Sequence, residues 1–147
     1  MAYEFATYEK QGRIAIVTIN RPERMNALHP PANFELHEIW NDFEADPEVW
    51  VGILTGAGDK AFSAGNDLRF TAEHGRDMVR MADSGFGGLA NRTTNWKPIL
   101  AAVPREPSAV WQAAHTAVAI ADTWPGGRST ARRIFARARS IRGKGRR

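Results

Sequence analysis

The chain has 147 residues, 43% hydrophobic and 24% charged, the composition of an ordinary soluble globular protein with room for one domain. It has no cysteine, which excludes disulfides, thiolate catalysis and cysteine-ligated zinc, and no apolar run long enough to span a membrane. The net charge of +4 is unevenly spread: ten basic against two acidic residues give 104–147 a net of +8, leaving ten against fourteen, −4, in 1–103.

Met1-Ala2-Tyr3-Glu4 lacks the basic flank and apolar stretch of a secretory signal, so the expected location is the cytoplasm. Tyr3, Phe5 and Thr7 alternate onto one face, Lys10-Gln11-Gly12 offers a turn, and Ile14-Ala15-Ile16-Val17-Thr18-Ile19 is a β-branched run; together they predict a hairpin. A Pro-containing loop over 20–28 ends the second strand, and His29-Pro30-Pro31 predicts a helix whose first turn begins at Pro31. Leu36, Ile39, Trp40 and Phe43 fall at helical spacing with Glu35, Glu38, Asn41 and Asp42 opposite, so this helix is amphipathic and stops before Pro47. Val49-Trp50-Val51-Gly52-Ile53-Leu54-Thr55 predicts a buried strand, and the helix between it and Ile19 makes a βαβ unit.

A loop over 56–68 follows, then a helix expected over 68–81. Residues 84–88 read as too glycine-rich for regular structure and mobile, 89–95 as a short helix, and 97–103 as a further buried strand. Trp50 and Trp96 read as packing residues, and Arg21 and Arg24 as solvated loop charges or, for Arg24, a ligand contact. Beyond Val103 the pattern fails: prolines break it, 109–121 is a weak apolar helix candidate, and the end is Arg-rich. His29, His37, His74 and His115 have no metal-ligand spacing, and no metal site is expected.

Three stretches, in order, resemble the crotonase superfamily of enoyl-CoA hydratases and isomerases. They are Ile16-Val17-Thr18-Ile19-Asn20-Arg21-Pro22 with Met25-Asn26-Ala27-Leu28; Ile53-Leu54-Thr55-Gly56 with Lys60-Ala61-Phe62-Ser63-Ala64-Gly65-Asn66-Asp67-Leu68; and Lys97-Pro98-Ile99-Leu100-Ala101-Ala102-Val103. The match covers residues 4–103, and Gly85-Phe86-Gly87-Gly88-Leu89 is similar to members acting on carnitinyl-CoA or related acyl-CoAs. The resemblance implies an α/β fold, a partial crotonase-like β-α spiral unit over 1–103, with 104–147 a basic tail that is not family-like. It also implies an acyl-CoA thioester partner and no cofactor beyond the coenzyme A carried by that substrate.

Reactions of this family build negative charge on the thioester oxygen, and preorganised backbone N–H donors stabilise it. Matching the motif places one such donor at the backbone N–H of Asn66. Gly65 and Ala64 let the substrate approach the main chain. Ala64, Asp67 and Leu68 would lie along the coenzyme A, with Arg24, Met25 and Ala27 opposite and Arg24 facing a phosphate. The second donor and the catalytic glutamates of hydratases have no match after Val103, and Glu106 receives no role.

The expected function is therefore an enoyl-CoA hydratase/isomerase family protein in an incomplete, poorly active or inactive form, with a frameshift or truncation near codon 104. A non-catalytic fragment or partner-binding remnant is the alternative, and a carnitinyl-CoA dehydratase-like substrate the alternative specificity. Family members form trimers or hexamers, but the segments that build those contacts have no match here, so assembly stays open. Gly56-Ala57-Gly58-Asp59-Lys60-Ala61 fits a loose dinucleotide fingerprint, yet a second small-residue loop stands where the required helix would run. The tail's arginines could neutralise phosphates, but no nucleic-acid reader motif accompanies them.

Overall fold

The computed structural model describes residues 3–75 and 80–103. Strands β1 (Ala6–Gln11) and β2 (Ile14–Ile19) form the hairpin, and β3 (Val51–Gly56) and β4 (Ile99–Ala102) extend it into a sheet of order β1-β2-β3-β4. The hairpin pair is antiparallel, from Ala6 opposite Ile19 to Gln11 opposite Ile14, whereas β2, β3 and β4 run parallel. The turn falls later than expected: Lys10 and Gln11 stay in β1, and Gly12, at φ +60°, takes the left-handed turn position.

Helix α1 (Pro30–Ala45) is the crossover between β2 and β3. It begins at Pro30, one residue earlier than expected. His29 is extended, as the residue before a proline prefers, and Pro30 fills a first position whose N–H would have no helical partner. Leu36, Ile39, Trp40 and Phe43 are all buried and pack with Ala15, Val17 and Ile19 of β2, each side chain stabilising by about 1.5–3 kcal/mol on burial. Gly52 lets the helix sit close to the sheet, since a Cβ there would lie 3.2 Å from the Trp40 ring and 3.3 Å from Phe43. Lys97 closes the far end of α1, its Nζ donating to the carbonyls of Phe43 and Asp46, both at 2.6 Å. Burial pulls that ammonium below its ordinary pKa.

Helix α2 (Leu68–His74) is shorter than the 68–81 expected, because Gly75 at φ +82° ends it. The glycine-rich stretch is not loose. It forms a 3₁₀ turn over Phe86–Gly88 docked on α1, with Gly87 N donating to Asn33 Oδ1 at 2.7 Å and Trp40 Nε1 donating to Gly87 O at 3.1 Å. A Cβ on Gly88 would stand 2.7 Å from the His37 nitrogen, so glycine here serves close packing. The short helix expected over 89–95 does not form beyond a turn. Its polar side chains are taken elsewhere: Arg92 bonds Gly88 O, Glu44 and Asn41 of α1, and Asn95 bonds the Lys97 main chain. Trp96 is not a packing residue; it is 93% exposed.

Among the described residues, no helix is long and apolar enough to cross a membrane. The tail with its helix candidate at 109–121 lies outside the described residues.

Candidate functional site

The site forms where the loop after β2 meets the loop after β3. Pro22–Arg24 makes one 3₁₀ turn, and the next two residues, Met25 and Asn26, are both left-handed at φ 50° and 55°. Asparagine tolerates that conformation better than most side chains. Asn26 is fully buried and every polar atom of its side chain is used. Its Oδ1 accepts from Arg21 N at 3.0 Å, and its Nδ2 donates to Ala57 O at 2.8 Å and Ala61 O at 2.7 Å. Its carbonyl accepts from Ser63 Oγ at 2.8 Å. One side chain thereby ties the two loops into a single body.

Gly56 is where the second loop leaves the sheet, and a Cβ there would lie 2.2 Å from Phe62 O and 2.6 Å from Asn26 Nδ2. Ala64 N then donates to Met25 O at 2.9 Å, and Gly65 turns at φ +86° with nothing within 4 Å of the place its Cβ would occupy. Leu28 pairs with Asn66 as a parallel bridge: Leu28 N donates to Gly65 O at 2.8 Å and Asp67 N donates to Leu28 O at 2.9 Å. In such a pair the central residue's own N–H points to the other side. The Asn66 amide therefore faces away from Leu28, and no backbone acceptor for it is found among the described residues. The Asn66 side chain is occupied locally, donating to Thr71 Oγ1 at 3.2 Å.

Beneath this bridge lies a buried charged cluster. Arg21 is not a solvated loop charge: its Nη1 donates to the Ala27 carbonyl and pairs with Asp67 Oδ2 at 3.1 Å, and its guanidinium lies over the Phe5 ring. Asp67 also caps α2 by accepting from Phe70 N at 3.0 Å. Burial pushes the Asp67 carboxyl up, but the Phe70 amide and Arg21 outweigh it and hold the group below its ordinary pKa. His29 is packed edge-on between Phe5 and Phe70, with ring centroids at 4.4 and 5.5 Å. Burial, and then the charge of Arg21, lowers its pKa and so favours the neutral ring. Arg21 Nε and His29 Nδ1 are buried without partners among the described residues.

The residues singled out in the sequence divide into two groups. Met25 at 53% exposure, Leu68 at 75%, Arg24 and Ala64 lie on the solvent side of the joined loops, with Gly65 and Asn66 half-buried between. Arg24 is near enough to α2 that its charge, after the larger effect of Arg69, helps hold the Glu73 carboxyl below its ordinary pKa. Ala27 and Asp67 face inward, so what Asp67 has free to offer a ligand is main chain rather than its paired carboxylate. Sequence reasoning assigned no part to Asn26, Arg21 or His29.

Among the described residues, no three His, Cys, Asp or Glu side chains converge as a metal site. The Gly56–Ala61 string opens no helix, since the next one starts at Leu68.

Residues 9–104 match the model of the Enoyl-CoA hydratase/isomerase family. The chain is 37% identical over 97 residues to (E)-benzylidenesuccinyl-CoA hydratase of Thauera aromatica, covering 66% of this chain and 38% of that protein. It is 39% identical over 94 residues to carnitinyl-CoA dehydratase of Escherichia coli K12, covering 64% and 36%. Among solved structures, carnitinyl-CoA hydratase from Mycobacterium avium superposes with a TM-score of 0.62 at 34% identity, covering 67% of this chain and 38% of that one. An enoyl-CoA hydratase from Mycobacterium tuberculosis H37Rv gives 0.60 at 32% identity, covering 68% and 38%. The chain thus spans less than two fifths of these relatives, and its sheet and crossover are a partial crotonase fold. With the family model matched over 9–104 and these relatives at more than 30% identity, it belongs to the enoyl-CoA hydratase/isomerase family.

Proposed function

We propose that the chain binds an acyl-CoA thioester, with the Asn66 N–H donating to the thioester oxygen. The observation that carries this is an amide left unspent by the Leu28–Asn66 bridge and aimed away from Leu28. A single donor of this kind contributes about 2.7–4 kcal/mol where negative charge develops on an oxygen. Gly65 and Ala64 leave room for the carbonyl to approach, Met25 and Leu68 offer apolar cover to the pantetheine arm, and Arg24 meets a phosphate. Ala27 and Asp67 support this wall from inside. Coenzyme A enters as part of the substrate, and the reading calls for no separate cofactor.

Asp67, the carboxylate adjacent to Asn66 in the chain, is held by Arg21 and by the Phe70 amide rather than left to handle a water molecule, which supports binding with little or no turnover. Carnitinyl-CoA is the favoured acyl group to try first, given the likeness to carnitinyl-CoA dehydratases and the Gly85–Leu89 stretch. Titration calorimetry with acetoacetyl-CoA, beside a hydration assay on crotonyl-CoA and a dehydration assay on carnitinyl-CoA, tests both parts. Binding without turnover is expected; no binding removes the thioester reading, and turnover above background removes the view that the chain is inactive.

A further inference from the structure

We propose that Arg21 is a positioning residue for the Asn66 amide; the proposal rests on the reading of that amide as the thioester donor. The two backbone segments that fix the direction of Asn66 N–H are 27–28 on one side and 65–67 on the other. A single nitrogen of Arg21, Nη1, holds both: it donates to the carbonyl of Ala27, one residue before Leu28, and pairs with the carboxylate of Asp67, one residue after Asn66. Both side chains of the ion pair are nine-tenths buried, so water competes little for either group. Its other end is anchored too, since Arg21 N donates to Asn26 Oδ1 and Arg21 O accepts from Asn26 N at 2.8 Å. Arg21 touches no substrate in this arrangement. It sets the spacing of the two segments, and the spacing sets where the amide points.

A specific consequence follows from the use of one nitrogen. Arg21 Nε is buried and makes no bond among the described residues, so the planar fork of arginine is not what the site requires. A lysine ammonium, a point charge with three donors on a side chain one bond shorter, keeps the charge and two donors for Ala27 O and Asp67, and its third donor is left over as Nε is now. Arg21→Lys is therefore expected to restore what Arg21→Met loses. Asp67→Asn cuts the same tie more gently, because an asparagine oxygen still caps Phe70 N.

The test compares affinity for acetoacetyl-CoA with affinity for free coenzyme A, which lacks the thioester carbonyl, using the full chain checked for folding by circular dichroism. The native chain is expected to prefer the thioester by about tenfold or more. Arg21→Met and Asp67→Asn should bring that ratio close to one, with free coenzyme A affinity changed by less than about threefold, and Arg21→Lys should restore it. Equal weakening towards both ligands, or a ratio left intact in both variants, overturns the positioning role. Amide exchange separates this outcome from failure of the thioester reading. If the native chain binds neither ligand that reading falls, yet faster exchange in Arg21→Met confined to Leu28 and 65–67 still supports the positioning role, whereas uniform change across β2 and β3 refutes it.

Discussion

Replacing Asn26 with alanine removes three hydrogen bonds at once, one buried and two part-buried, and leaves a backbone N–H and two carbonyls without their partner. Each such bond is worth about 1 kcal/mol net, and alanine at φ 55° costs about 1 kcal/mol more, so the expected loss is about 4 kcal/mol. Domains of this kind hold only about 5–15 kcal/mol in all. Asn26→Gly separates the two contributions: it accepts the left-handed backbone and forfeits only the bonds, so it should cost about 3 kcal/mol. Asn26→Asp keeps the acceptor for Arg21 N but sets a carboxylate against the Ala57 and Ala61 carbonyls, and should be at least as damaging as alanine. Urea unfolding followed by tryptophan fluorescence measures all three. A loss below about 1 kcal/mol for alanine would refute the claim that this side chain unites the loops, and equal losses for alanine and glycine would refute the conformational part.

Gly56→Ala should be far more harmful than Gly65→Ala, because the first drives a Cβ to 2.2 Å from Phe62 O while the second meets open space and pays only the strain of φ +86°, about 1–2 kcal/mol. Denaturant midpoints of the two variants check the order. His29 has its folded pKa lowered, so the unfolded chain binds more protons on the acid side; its contribution is complete above about pH 6.5 and declines as the pH falls towards the folded value. His29→Gln should flatten the stability profile as the pH falls below about 6.5, and an unchanged slope would count against that assignment. Asp67, also lowered, loses its contribution only below about pH 3.9, so the two groups act in separate windows. Trp96→Phe should leave stability within about 0.5 kcal/mol while removing a readily quenched fluorescence component, as its 93% exposure requires.

The inner strands were legible as short apolar runs and α1 as a helical repeat of apolar side chains. Ile14 to Ile19 is a β-branched run, Val49 to Thr55 a short apolar one, and Leu36, Ile39, Trp40 and Phe43 return to one face every turn. The start of α1 was misplaced by one residue because two prolines in succession both satisfy the rule for a first turn. The loops were less legible for a different reason. Residues 84–88 read as mobile from their glycines, yet Gly88 is buried because α1 runs within contact of it, a fact that only tertiary structure supplies. Arg21 read as a solvated charge because a loop arginine usually is one; it is buried here because Asp67, 46 positions later, comes to meet it.

That long-range meeting also explains why, of the residues bridged to Leu28, it is Asn66 whose amide is left free. In a parallel bridge the available N–H alternates, so sliding the second loop by one residue would turn the Asn66 N–H inward and send that of a neighbour outward. Leu28 alone does not fix the register, since its N–H and carbonyl would bond a shifted partner equally well. Asn26 fixes it from one end by bonding Ala61 and Ser63, and Arg21 fixes it from the other by bonding Asp67. The small residues between, Ala64 and Gly65, contribute no side-chain bonds of their own; they leave the outer surface open. Polar anchors within and small residues without divide the work of the loop, and a substitution's effect on affinity should follow from which of the two it disturbs.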